Sequence, residues 1–156
     1  MFNIVLVEPR IAGNVGTIGR MCYNLGFKLH LVGPHFLDFS SKKIMHAGLD
    51  YWDKLEPIFW DNAEHFLNNN DISKMKFAST KSQNPYFNAI FKQDDFIIFG
   101  SESFGLPQPE IKAILNNENT FLIPMKSYGR SLNLAQSVAF ISGEALRQNY
   151  SSFEID

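Results

Sequence analysis

At 156 residues, with 45% hydrophobic and 14% aromatic content, the chain is long enough for one domain with a proper core and too short for two comfortable ones. A formal net charge of −2 argues neither for nor against nucleic acid, since non-specific binders are usually basic throughout whereas an enzyme on RNA relies on one local patch. The single cysteine, Cys22, excludes an intrachain disulfide and a cysteine-only metal site, and no basic-apolar leader or run near the roughly 18 apolar residues of a membrane span occurs, so a cytoplasmic protein is expected.

In chain order, Asn3 to Val7 reads as a buried strand, residues 8–15 as a loop, and about Gly16 to Leu25 as a helix. Val15, Ile18, Met21, Cys22 and Leu25 recur at helical spacing and make Cys22 a core residue. Gly26 ends the helix as a C′ glycine, and Lys28 to Val32 completes a β-α-β unit. The run Gly13-Asn14-Val15-Gly16-Thr17-Ile18-Gly19, with Asp38 some way on, invites a dinucleotide reading. Its spacing is G-x-x-G-x-x-G, however, and it lacks the Gly-Lys-Ser/Thr of a P-loop. What remains is a helix N-terminus with Thr17, Arg20 and Asn24 on a face away from the apolar stripe, which suits a phosphate.

Ser40 or Ser41 is expected to cap a short helix through Ala47, and Asp61 or Asn62 another through about Leu67. Lys76 to Thr80 and Phe96 to Phe99 read as strands, with residues 82–95 as loop between them. Pro109 sits near N1 of a helix through Leu115. Thr120 to Ile123 is the last strand, and Leu132 to about Asn149 the longest helix, with Leu134, Val138, Ile141 and Ala145 on one face. Residues 151–156 read as a loose tail. Strands alternating with helices imply an α/β fold with a largely parallel sheet.

The loops after the last two of these strands carry the most information. In Phe99-Gly100-Ser101-Glu102-Ser103-Phe104-Gly105-Leu106-Pro107, the glycines allow close backbone approach or positive φ. In Ile123-Pro124-Met125 running on to Arg130-Ser131-Leu132-Asn133-Leu134, either Ser131 or Asn133 is able to cap the final helix. Both loops follow the C-terminal ends of strands, where open α/β sheets bind ligands. The histidines His30, His35, His46 and His65 show no metal-ligand spacing, and no metal is expected.

Taken together, Asn14-x-Gly16-x-x-x-Arg20, Phe99-Gly100-x-Glu102-x-x-Gly105-Leu106-Pro107 and Ile123-Pro124-Met125 with Ser131-Leu132-Asn133-Leu134 resemble the three motifs of the SPOUT methyltransferases. The likeness lies in the branch that methylates RNA ribose 2′-oxygens, and within it the TrmL (YibK) type acting on the tRNA wobble nucleotide. Asn3-Ile4-Val5-Leu6, Glu8-Pro9, Leu25-Gly26-Phe27, Ala47-Gly48-Leu49-Asp50-Tyr51 and Arg147-Gln148 extend it over essentially the whole chain, as a single domain.

The resemblance implies a mostly parallel sheet flanked by helices with a deep C-terminal trefoil knot, an exception to unknotted connection, near the loops 100–107 and 124–131. It implies S-adenosyl-L-methionine, held by Ala78 and Ser79, by Gly100, Glu102 and Gly105, and by Ile123, Met125, Ser131 and Leu132, largely through backbone groups. Arg20, Ser131, Asn133 and Asn14 become the catalytic candidates: Arg20 on phosphate and developing oxyanion, Ser131 and Asn133 orienting ribose and cofactor, and Asn14 bracing the loop. Asn133 has a competing role as helix cap, and Glu102 one as a structural tie. Phe104 replaces a common family arginine and Ala78 a commoner leucine, which puts substrate range and the adenine pocket in question. The implied partners are the tRNA anticodon stem-loop, reached through Arg10, Arg20, Lys42, Lys43, Lys126, Arg130 and Tyr128, and a second copy in a homodimer formed through the first and last helices. The rival readings are a 2′-O-methyltransferase on ribosomal RNA and a non-catalytic RNA- or nucleotide-binding module.

Overall fold

A strand in the middle of a parallel sheet is covered on both faces and reads as a continuous apolar run. Asn3–Val7 (β1) meets that condition, being buried along its whole length. The computed structural model describes residues 1–39 and 51–153. In it β1 pairs in parallel with Lys28–Val32 (β2) on one side and Phe96–Phe99 (β5) on the other. Ile58–Trp60 (β3) lies outside β2, Met75–Ala78 (β4) outside β5, and Thr120–Phe121 (β6) outside β4, giving the order β3-β2-β1-β5-β4-β6. Every pairing is parallel.

Alternation along the strands divides the core in two. Ile4, Leu6, Ile97 and Phe99 point to the side where Ala12–Leu25 (α1) and the C-terminal helix pack, with Val15, Ile18, Cys22, Val138, Ile141 and Ala145. Val5, Val7, Phe77 and Ile98 point to the other side, under Phe66 and Ile111. These come from two short helices, Ala63–Asn68 and Pro109–Lys112. Burial pushes the Cys22 thiol up to about 12, so it is inert core.

Most expected elements stand, with shifted ends. α1 begins at Ala12, ahead of the expected Gly16, because the distant carboxylate of Glu102 holds the Arg10 and Ile11 N–H groups and the Asn14 side chain at its start. Gly26 closes it at φ 62, in the left-handed region that favours glycine. Asn62 caps the 63–68 helix by accepting from the His65 N–H at 2.8 Å. The helix at Pro109 stops at Lys112, short of Leu115. Strand β3 and the turn Trp52–Leu55 were not expected, since three or four residues carry no readable period. The expected helix capped at Ser40 or Ser41, with Lys42, Lys43 and His46, lies outside the described residues, as does the end of the tail from residue 154.

His30 sits on β2 and is 4% exposed. The indole of Trp60 donates to its Nδ1 at 3.1 Å, and its Nε2 lies 3.2 Å from the Asn3 side-chain oxygen Oδ1. A neutral ring protonated on Nε2 satisfies both contacts. Burial first, and the Lys28 charge second, lower its pKa from 6.5 to about 4. Between those values the unfolded chain binds the proton and the native protein does not, so acidification favours unfolding. About 3 kcal/mol of stability is expected to disappear between pH 7 and pH 4 on this account. Urea unfolding at both pH values should show a clearly smaller loss in His30→Gln; equal losses in variant and parent would refute the assignment.

Candidate active site

The order of strands reverses beside β1, since the chain runs outward from β1 through β2 to β3 and then crosses to the other half of the sheet. Loops leaving the C-terminal edges of β1 and β5 therefore face one crevice, the usual ligand position in such a sheet. Of the sequence candidates, Asn14, Glu102 and Asn133 meet there through hydrogen bonds, with Gly100 and Gly105 in the turn that carries Glu102.

Gly100 and Gly105 form the base of the loop after β5. Ser101 and Gly105 exchange backbone hydrogen bonds at 3.0 Å in both directions, and Gly105 has φ 62. A Cβ on Gly100 would run into the Gly105 carbonyl, so any side chain there collides with backbone. Gly100→Ala should accordingly lose about 1–3 kcal/mol, read as a lower urea midpoint; a midpoint matching the parent would show that the turn yields freely.

The closed turn delivers Glu102 to α1. Its Oε2 accepts from the Arg10 N–H at 2.8 Å, and its Oε1 accepts from the Ile11 N–H at 3.1 Å and the Asn14 amide nitrogen at 3.0 Å. This carboxylate, from 91 residues away, does for α1 what a local capping side chain would do, and Ile11 at the cap position offers none. Asn14 continues the row, its side-chain oxygen Oδ1 accepting from the Asn133 side-chain Nδ2 at 2.9 Å. The Asn133 side-chain oxygen Oδ1 in turn accepts from the Ala135 and Gln136 N–H groups at 2.8 and 3.3 Å, capping Leu134–Gln148. Between Ser131 and Asn133 the cap is thus Asn133. One row of side chains joins the loops after β1, β5 and β6.

Arg20 lies further along α1, exposed, with its guanidinium carbon 5.5 Å from the Tyr51 ring centroid. Ser131, Arg130, Lys126 and Tyr128 are exposed on the segment after β6, Tyr128 by 87%. On the far side of the crevice Ser79 donates its N–H to the Phe121 carbonyl at 2.9 Å, and Leu122 exchanges backbone bonds with Asn84 and Tyr86. Ala78, Tyr86, Ile123 and Ala135 are half-buried against the same core, an apolar flank beside the strand ends. Met125 is 41% exposed and Leu132 half-buried. Among the described residues no group of His, Cys, Asp and Glu is arranged to hold a metal.

Gln108 and Phe36 carry no motif in the sequence, and Glu8 enters there only within the pair Glu8-Pro9, without a role. Glu8 has φ 49 and accepts from Gln108 at 2.7 Å and from the Arg10 guanidinium at 3.3 Å. These contacts join residues up to 100 apart, so no local pattern announces them.

Residues 1–142 match the model of the SpoU rRNA Methylase family. A protein of Aeromonas hydrophila named tRNA (cytidine(34)-2′-O)-methyltransferase is 38% identical over 95% of this chain and 94% of its own. One of the same name from Escherichia coli K12 is also 38% identical, with the same coverage. A solved structure described as giving insights into 2-OH methylation of C/U34 on tRNA superposes with TM-score 0.87 at 36% identity, covering 97% of both chains. The SpoU methyltransferase AviRb of Streptomyces viridochromogenes, in complex with AdoMet, shares the fold at TM-score 0.83 and 22% identity, over 96% of this chain and 58% of its own.

Proposed function

Because the chain belongs to the SpoU methylase family and is thus a methyltransferase, we propose that it methylates the ribose 2′-oxygen of the wobble nucleotide, cytidine or modified uridine, in the tRNA anticodon stem-loop. The donor in this reading is S-adenosyl-L-methionine. The observation that carries it is the row from Glu102 through Asn14 to Asn133, which gathers the three motif loops at one sheet edge. Relatives named for cytidine 34 of tRNA match nearly end to end. The family's printed name points instead to ribosomal RNA, which is the second reading.

The apolar flank of Ala78, Tyr86, Ile123 and Ala135, with Met125 and Leu132 near it in the chain, suits an adenine bordered by strand-end backbone. Ser79, Gly100, Gly105 and Ser131 supply backbone around it in this proposal. Glu102 contributes by holding the loop, since its carboxylate already accepts from Arg10, Ile11 and Asn14. The donor supplies a methyl group already activated on a sulfonium. What remains for the protein is to orient the ribose hydroxyl and stabilise the charge that develops on it; orientation alone is able to provide about 7–11 kcal/mol. In this proposal Arg20 does the second; the support is that it is an exposed cation with donors only, on the helix whose start the row anchors. Ser131 orients the ribose, and the proton leaves to a phosphate oxygen or water. Asn133 and Asn14 act as positioning residues, because each already serves the row.

Further parts of the reading are the trefoil knot, a single domain over the whole chain, a homodimer and a cytoplasmic setting. For the knot, the support is that the segment after β6 ties both to residues 84–86 and to Asn14. For the dimer it is the exposure of Tyr23 on α1 and Phe140 on the last helix. Among the described residues no helix is long and apolar enough to cross a membrane. Incubation with the donor and unmodified tRNA transcripts, followed by nucleoside mass spectrometry, should yield a 2′-O-methyl nucleoside at the wobble position. Methylation of ribosomal RNA fragments alone would favour the second reading, and methylation of neither would overturn both. Sedimentation should show a dimer; a stable, active monomer would contradict that part.

A further inference from the structure

Arg10 is not simply a solvated charge. Its guanidinium carbon stands 3.4 Å from the ring centroid of Phe36, in the loop after β2, and 5.6 Å from that of Phe104, in the loop after β5. Its backbone N–H donates to Glu102, and its terminal nitrogen contacts Glu8 at 3.3 Å. The arginine is therefore fixed by the same carboxylate that anchors the start of α1. Phe104 is fixed as well, its N–H donating to the Ser101 hydroxyl at 3.2 Å within the closed turn. Yet Phe36 remains 52% exposed and Phe104 67% exposed, with Ile11 beside Arg10 in the chain at 51%. Two aromatic rings from separate loops converge on one cation at the catalytic edge and leave much of their surface in water.

We propose that Phe36 and Phe104, ordered around Arg10, form a stacking site for an unpaired RNA base flanking the nucleotide that is methylated. This rests on the RNA methyltransferase reading above. A base offers a π face to the rings and a phosphate to the guanidinium, which a purely apolar protein segment does not. A chain of net charge −2 must hold RNA through such local cation-and-aromatic contacts rather than a broad basic field. The hydrogen bonds of Glu102 to Arg10, Ile11 and Asn14 couple the site to the catalytic row, so a seated base fixes the target relative to α1. Phe104 is thereby a determinant of substrate choice.

The test uses the full chain without methyl donor and an anticodon-type RNA hairpin carrying 2-aminopurine in its loop, whose fluorescence falls on stacking. The parent protein should quench it saturably. Phe36→Ala and Phe104→Ala should reduce the quench and weaken binding about 5- to 150-fold, the range that base–aromatic stacking spans, with melting temperature unchanged. Phe104→Trp should restore both. Alanine variants that quench and bind like the parent overturn the proposal. So does a double variant whose RNA binding is intact while its sedimentation changes, which makes the patch a contact between copies. Methyl transfer measured in parallel separates the two readings. Phenylalanine-dependent quenching without any transfer defeats the enzyme assignment and leaves the stacking site standing; transfer indifferent to both phenylalanines defeats the stacking site alone.

Discussion

Arg20→Ala is expected to lower kcat for methyl transfer by about 10²–10³, the loss that follows removal of one donor from a developing oxyanion, while the protein melts as before. The second half of that expectation comes from exposure. Arg20 projects into solvent from α1 and packs only loosely, 5.5 Å from the Tyr51 ring. Removing it leaves the buried stripe of Val15, Ile18 and Cys22 untouched. Arg20→Lys keeps the charge and loses the planar fork, so it should recover little of the rate if the guanidinium meets a phosphate and an oxygen together. Steady-state kinetics with saturating donor distinguish the cases. An Arg20→Ala enzyme with unaltered kcat would remove this residue from the chemistry, and a rate that titrates on Arg20 itself would replace charge stabilisation by proton abstraction.

Glu102→Ala should cost about 3 kcal/mol, because it strips a charged acceptor from the Arg10 and Ile11 N–H groups and the Asn14 amide at once. The site is partly open to water, so the donors recover some hydration and the loss stays below three full penalties. For a chain of this size that is a fall of about 6–12 °C in Tm. Glu102→Gln retains one acceptor oxygen and should lose roughly half as much. Activity should fall with stability, since the loop after β5 and the start of α1 are no longer tied. A cycle pairing Glu102→Ala with Asn133→Ala tests whether the row acts as a unit. Strict additivity would show that Asn14 does not couple its neighbours, whereas a coupling of about 0.5–3 kcal/mol is expected for a shared network.

The strands were legible because burial leaves a plain mark on composition. Asn3–Val7, Lys28–Val32 and Phe96–Phe99 fall where apolar, β-branched and aromatic runs stand between turn residues. The two long helices were legible by period, and Gly26 by the conformation that its position demands, whereas the choice between Asp61 and Asn62 as cap fell to the structure. The start of α1 was misplaced for an equally physical reason. Its anchoring acceptor is Glu102, and a helix capped from 91 residues away carries no local signature. β3 escaped because Ile58–Trp60 is too short to show alternation.

Within the site, the motif residues could be picked out singly, but their roles needed neighbours. Ser131 and Asn133 were equally plausible caps until the Ala135 and Gln136 N–H groups were seen to meet the Asn133 oxygen. Arg10 was expected only as one of several cations facing RNA, and only the loops from β2 and β5 show it packed against Phe36 and Phe104.

By itself, then, the amino-acid order determined which segments are buried, which are helical, and which short stretches carry glycines, amides and charges unsuited to a core. Those properties depend on near neighbours and on hydrophobic period. Tertiary structure alone decided that Glu102, Asn14 and Asn133 form one row, that Glu8 and Gln108 join it at the edge, and that aromatic rings gather on Arg10. Such contacts depend on the parallel order of the strands, which sets loops distant in the chain side by side at one edge of the sheet.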